Sequence, residues 1–214
     1  MKTKIKAFTV LELLIVILVV IVFAGLFLPY SFDDRGRTKA IRINCVCNLK
    51  QVGLAFRLWS DDNNSMYPMQ YYTNQSGVLL FADATNEFRY FQAMSNELST
   101  PKILVCPADK RIAATNFTTD FSGARVSYFV ALEANEMFPN RLLSGDRNIT
   151  NGRSPRNGIL EANTNQNIGW TSELHNGFGN VGLADGSVQQ FTINGLRNCV
   201  GHTGLATNRL LLPP

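Results

Sequence analysis

Phe8-Thr-Val-Leu-Glu12-Leu-Leu-Ile-Val-Ile-Leu-Val-Val-Ile-Val-Phe-Ala-Gly25-Leu-Phe-Leu-Pro29 is the stretch that decides the fold. From Leu13 to Leu28 it contains no charged or polar side chain. As a helix at 1.5 Å per residue, Phe8 to Leu28 measures roughly 31 Å, the thickness of a bilayer hydrocarbon core. A basic head, Lys2, Lys4 and Lys6, precedes it and predicts a cytoplasmic N-terminus by the positive-inside rule. The expected placement is therefore single-pass in a bacterial inner membrane, with the rest of the chain periplasmic. A cleaved secretory signal fits poorly, because its apolar core spans only about 7–15 residues and ends at a small-residue cleavage site. Glu12 is out of place in a simple anchor, since a carboxylate near the centre of a membrane helix costs roughly 2.5–3.5 kcal/mol. The bland alternative is that Glu12, one turn inside the helix, reaches back to the interface. Pro29 removes a helix hydrogen bond and clashes with the carbonyl of Gly25, which predicts a kink, a melted turn or a simple helix stop around 25–29.

The composition agrees with one folded domain plus this appendage. The chain has 214 residues, 45% hydrophobic and 17% charged, enough to build a core and too apolar for a disordered chain. The net charge of +4 invites a nucleic-acid reading, but Lys2, Lys4 and Lys6 account for most of it. From Phe8 onward 17 basic residues face 16 acidic ones, and no basic-aromatic patch remains in the head, so no nucleic-acid partner is expected.

The segment Lys6-Ala7-Phe8-Thr9-Val10-Leu11-Glu12-Leu13-Leu14-Ile15-Val16-Ile17 resembles the cleavage and methylation segment of type IV prepilins and type II secretion pseudopilins. The resemblance implies cutting between Ala7 and Phe8 by a prepilin peptidase, which then N-methylates Phe8. The usual residue before the cut is Gly, replaced here by the equally small Ala7. It also implies that Glu12 pairs with the terminal amine of a neighbouring subunit during assembly. At about 4 Å and an effective dielectric near 20 such a pair is worth about 4 kcal/mol before desolvation. The implied partners are other pilin-like subunits in a homo- or hetero-polymer, the peptidase and methyltransferase, an inner-membrane assembly platform and the bilayer.

From Thr38 to Ser60, Ile41, Cys45, Leu49, Val52, Phe56 and Trp59 recur every three or four residues, one stripe of an amphipathic helix. Asp61-Asp62-Asn63-Asn64 ends it. A helix running from Phe8 to Ser60 would be roughly 80 Å long. Its own domain can cover only the second half, leaving lipid or sister subunits to cover the first. The expected organisation is a leader at 1–7, a membrane and polymerisation helix at 8–29, an amphipathic helix at 30–62 and a globular head at 63–214.

Cys45-x-x-Asn48-Leu49 on the amphipathic helix, with Cys106-Pro107-x-Asp109 and His175 followed after nine residues by Asp185-Gly186 in the head, resembles a pseudopilin-like group abundant in planctomycete- and verrucomicrobium-type bacteria. Asp83–Leu98 reads as a short helix capped by Asp83, and 102–106 and 126–132 read as strands. Residues 168–174, 181–184 and 187–193 read as a three-stranded antiparallel meander, with Asp185-Gly186 in a type I′ turn. The fold class is α+β, a long N-terminal helix packed on an antiparallel sheet in a pilin-like roll.

For chemistry, His175 with Asp185 lacks a nucleophile elbow, so turn roles are preferred and no catalytic residue is assigned. Asp61, Asp62, Asp146 and Asp185 are weak oxygen-ligand candidates for calcium without EF-hand spacing; otherwise no cofactor is expected. Zinc is disfavoured because the sequence has no Cys-x-x-Cys pair and only two His. Cys45 and Cys47 face differently on a helix, and pairing of Cys45 or Cys47 with Cys106, or of Cys106 with Cys199, stays open. The expected function is a structural subunit of a pilus-like or type II secretion filament, not an enzyme. The alternative is a membrane-anchored periplasmic binding or hydrolytic domain using the helix as a tether.

Overall fold

The structure, a computed structural model, describes residues 9–27, 34–72, 81–83 and 85–214. The processing residues Ala7 and Phe8, the leader and Pro29 lie outside the described residues. The chain divides into two compact units, residues 1–38 and 39–214.

The first unit contains α1, Val10–Phe27. Thr9 and Glu12 close its N-terminus reciprocally. The Thr9 backbone N–H (2.9 Å) and hydroxyl (3.0 Å) donate to Glu12 Oε2, and the Glu12 N–H donates to Thr9 Oγ1 (3.3 Å). This is a capping box, a local role for Glu12 that its reading as an assembly residue overlooked. Val10, Leu11, Leu14, Leu18 and Ile21 are all exposed, and Gly25 has open space around its Cα.

The expected single-pass inner-membrane placement, with a cytoplasmic N-terminus and a periplasmic head, is overturned here. Among the described residues no helix is long and apolar enough to cross a membrane.

The second unit is α+β. Helix α2, Asp34–Asp62, enters it from Lys39 onward. Cys45, Leu49, Val52, Phe56 and Trp59 are buried in one core shared with the strands, whereas Cys47 is exposed. The short helices α3, Pro68–Tyr71, α4, Phe88–Ala93, and α5, Ser95–Leu98, cover the end of that face. Phe56 meets Tyr67 and Phe91 edge-on at 5.7 and 6.1 Å between ring centroids, an arrangement favoured by the aromatic quadrupole.

The strands are β1 Tyr128–Ala131, β2 Leu142–Asp146, β3 Ile149–Thr150, β4 Ile159–Ala162, β5 Gly169–Trp170, β6 Gly179–Leu183, β7 Val188–Phe191 and β8 Asn208–Leu211, with α6, Ile193–Gly201, between the last two. Six form an antiparallel sheet in the order β4-β8-β1-β2-β6-β7, and β3 pairs with β5 in a separate ribbon. The C-terminal strand β8 thus lies inside the sheet, and β1, β2 and β6 are buried along their whole length.

Several local expectations change. The span 102–106 holds a 3-10 turn, Pro101–Leu104, because Pro101 starts it and the Thr100 hydroxyl accepts from the Lys102 N–H (3.4 Å). Asp83 caps the turn at Thr85 and Asn86, and the helix behind it breaks at Met94 into α4 and α5. The C-terminal meander is not formed: β5 joins β3, and the second neighbour of β6 is β2. The Asp185-Gly186 hairpin has positive φ only at Gly186 (84°). The Gly186 N–H donates to Leu183 O and the Leu183 N–H to Ser187 O, both at 2.9 Å, which is a three-residue loop with a glycine bulge in place of a type I′ turn.

Glu87 is fully buried, and neither carboxylate oxygen has a hydrogen-bond partner. Burial pushes its pKa up to about 7, with Asp83 adding to the rise and Arg111 opposing it. A carboxyl whose pKa rises on folding stabilises the native state fully below the unfolded value near 4.5, and loses that contribution as pH climbs to the folded value. Glu87→Gln is therefore expected to raise stability above pH 7 by up to about 3 kcal/mol, an advantage that vanishes toward pH 4.5. Urea unfolding across this range measures it.

Candidate functional site

Cys45, Cys106, Asp146 and His175 come from four separate segments and converge in the second unit, with their donor atoms all within 4.8 Å of one another. Each is placed by an identifiable local device. Cys45 lies on the buried stripe of α2. One turn further, Asn48 Nδ2 donates to Val105 O (3.3 Å) and draws the segment after the 3-10 turn against the helix, which delivers Cys106. The Ala108 N–H donates to Cys106 Sγ (3.4 Å). Asp146 ends β2, and its Oδ2 accepts from both the backbone N–H (2.7 Å) and Nδ2 (2.8 Å) of Asn180 on β6.

His175 sits in the turn between β5 and β6 with φ 45°, in the left-handed region that non-glycine residues seldom occupy. Asn148 holds this turn. Its Nδ2 donates to the carbonyls of Thr171 (3.0 Å), Leu174 (3.3 Å) and Phe178 (3.1 Å). A backbone strain maintained by so many bonds is common where a side chain must be aimed.

Within the cluster, Cys45 Sγ donates to Asp146 Oδ1 at 3.2 Å, Cys106 Sγ lies 3.3 Å from His175 Nε2, and His175 Nε2 lies 3.4 Å from Asp146 Oδ2. Tyr128 Oη is 3.6 Å from Cys45 Sγ. The side chains of His175 and Asp146 are 1% and 0% exposed. Burial pushes the Asp146 carboxyl up to about 6, reinforced by Cys106 and opposed by His175 and the Asn180 N–H. The neighbouring Cys45 thiol lowers Cys106 to about 5 against its burial, with His175 assisting. The proximity of Cys106 and burial raise Cys45, with the charge of Asp146 adding to the rise. Burial alone would lower His175, but its contact with Cys106 and the charge of Asp146 raise it.

This is not the geometry of a nucleophile–base–orienter relay. That relay needs the carboxylate on the imidazole nitrogen opposite the nucleophile, whereas Cys106 and Asp146 both meet Nε2. The cleft lined by Asn151, Arg153, Arg156, Glu161 and Arg209 shares no residue with the cluster. Two thiols, an imidazole and a carboxylate converging on one point are, however, a complete set of metal donors.

The residues singled out from sequence fall into two groups. Cys45, Asn48, Leu49, Cys106 and His175 belong to the cluster or its frame, while Pro107 is exposed beside it. Asp109 lies just outside and accepts from Ser127 Oγ (2.8 Å) and from Arg147 Nε (2.7 Å), tying the Cys106 loop to the residue after Asp146. Asp185 and Gly186 are elsewhere: Arg57 on α2 donates to Asp185 O (3.4 Å), and a Cβ on Gly53 would meet Gly186 Cα at 3.7 Å. The partner of His175 is Asp146, not Asp185. Of the calcium candidates, Asp61, Asp62 and Asp185 are exposed, and Asp146 is surrounded by softer donors. Asn148 and Asn180 escaped sequence reasoning; the Asp-Arg-Asn run at 146–148 was the available signal. Comparison with protein-family models, with curated proteins and with solved structures returns no match.

Asn148→Ala removes three bonds to the His175 turn. Amide exchange across 171–178 is expected to accelerate selectively, with stability falling by about 2 kcal/mol. Hydrogen exchange read by mass spectrometry checks the location, and urea unfolding the magnitude.

Proposed function

We propose that the protein is a structural subunit of a pilin-like filament, in which α1 is the polymerising element and the second unit is a displayed head. The carrying observation is that α1 exposes apolar side chains all round, from Val10 and Leu11 to Leu18 and Ile21. A helix apolar on every side needs cover, and each Leu or Ile buried contributes about 1.5–3 kcal/mol. Copies of the same helix supply matching apolar surface. The prepilin-like segment at 6–17 supports the same reading, with cutting after Ala7 and methylation of Phe8. Glu12 then exchanges its Thr9 contacts for the terminal amine of a neighbouring subunit. The α+β head with α2 on an antiparallel sheet is compatible with a pilin-like roll, which forms part of this proposal.

Leu14→Glu combined with Leu18→Glu is the test. The double variant is expected to sediment as single subunits and to form no filaments by electron microscopy, while the head unfolds at the unchanged temperature. Filaments of normal abundance would overturn the proposal. Mass spectrometry of the mature chain is expected to find methylated Phe8 at its terminus; an intact Met1 in assembled material would count against it.

A further inference from the structure

We propose that Cys45, Cys106, Asp146 and His175 bind one zinc ion, which fastens α2 to three loops of the head. The donor atoms are already spaced for it. Zinc bonds of about 2.3 Å to sulfur and about 2.0–2.1 Å to nitrogen or oxygen put tetrahedral donor pairs about 3.3–3.8 Å apart. Two of the observed ligand pairs are 3.2 Å for Cys45 Sγ–Asp146 Oδ1 and 3.3 Å for Cys106 Sγ–His175 Nε2, and all four donors lie within 4.8 Å of one another. Accommodating the ion requires the sulfur pairs to open by about 0.3 Å.

The chemistry selects the metal. Two thiolates and an imidazole suit a borderline-soft ion and disfavour calcium or magnesium, which take oxygen. Four buried protein ligands leave no position for water or substrate, the mark of a structural site. The surrounding bonds also point this way. Asn180 occupies Asp146 Oδ2 twice, so Oδ1, which now accepts from the Cys45 thiol, is the oxygen left for the ion.

The charges balance. Cys45 carries one proton, and Cys106 and His175 hold another between them. Both leave to solvent as the dication enters, so bonds to Sγ of Cys45, Sγ of Cys106, Nε2 of His175 and Oδ1 of Asp146 form with no change in the net charge of the buried cluster. This accounts for four ionisable groups gathered in a core where each alone would be costly. Cys47 and Cys199 take no part.

The experiment uses the full chain, purified under reducing conditions without chelator. Elemental analysis is expected to give one zinc per chain, kept in Cys47→Ser and Cys199→Ser and lost in Cys106→Ser. Asn180→Ala, which keeps all four ligands, is expected to weaken zinc binding by about 10–100-fold. Because Cys106→Ser can fail to fold, the unaltered chain is also loaded with cobalt. The expected spectrum has the intense visible bands of a tetrahedral site and a thiolate-to-cobalt charge-transfer band. Four results would each overturn the proposal: no zinc and no saturable zinc binding; zinc retained in a folded Cys106→Ser; an octahedral cobalt spectrum without thiolate bands; or a Cys45–Cys106 disulfide, seen as a mass lower by two hydrogens, in the folded chain.

Discussion

Burial of one face of α2 is the constraint on which the head depends. Leu49, Val52, Phe56 and Trp59 share a core with the central strands, and Cys45 continues the same stripe into a polar end. The aromatic part supplies apolar burial, where packing is tolerant of detail. The polar part admits little tolerance, because ionisable groups inside a core must meet defined partners. One helix face therefore carries both the bulk of the packing and the most exacting contacts of the head.

Those contacts explain why the strands are joined as they are. β2 must end at Asp146 beside Asn180 of β6, and Tyr128 stands opposite Asp146 on β1. Asn148, immediately beyond, secures the turn that aims His175. A short stretch, Asp146 to Asn148, thus addresses the cluster, the Asp109 ion pair and the His175 turn in succession. The Asp185-Gly186 loop meets a different part of α2, with Gly186 packed on Gly53 and Asp185 O accepting from Arg57. Two motifs that look like one unit along the chain serve two separate packing problems.

α1 poses the opposite problem. Its capping box is complete with Thr9 and Glu12 alone, and its apolar surface is exposed. Local chemistry suffices to start such a helix, but it cannot satisfy that surface. The proposed filament of like subunits would answer that need, and a zinc-fastened head would give it a rigid displayed part.

The sequence by itself determined what depends on near neighbours along the chain: the apolar run of α1, the three-and-four spacing that buries Cys45 to Trp59, and a hairpin at Asp185-Gly186. These follow from periodicity and turn chemistry, which act over a few residues. It misjudged the membrane placement of the apolar helix and the partner of β5, and it left His175 without a partner. Strand neighbours and buried ionic partners are chosen by the whole chain, since any of several carboxylates or strand edges is locally equivalent. Only the tertiary structure decided that Asp146, 101 residues from Cys45, should stand beside it. Cys45, Cys106, Asp146 and His175 each come from a different segment of the fold, so no local spacing in the sequence marks them as a cluster.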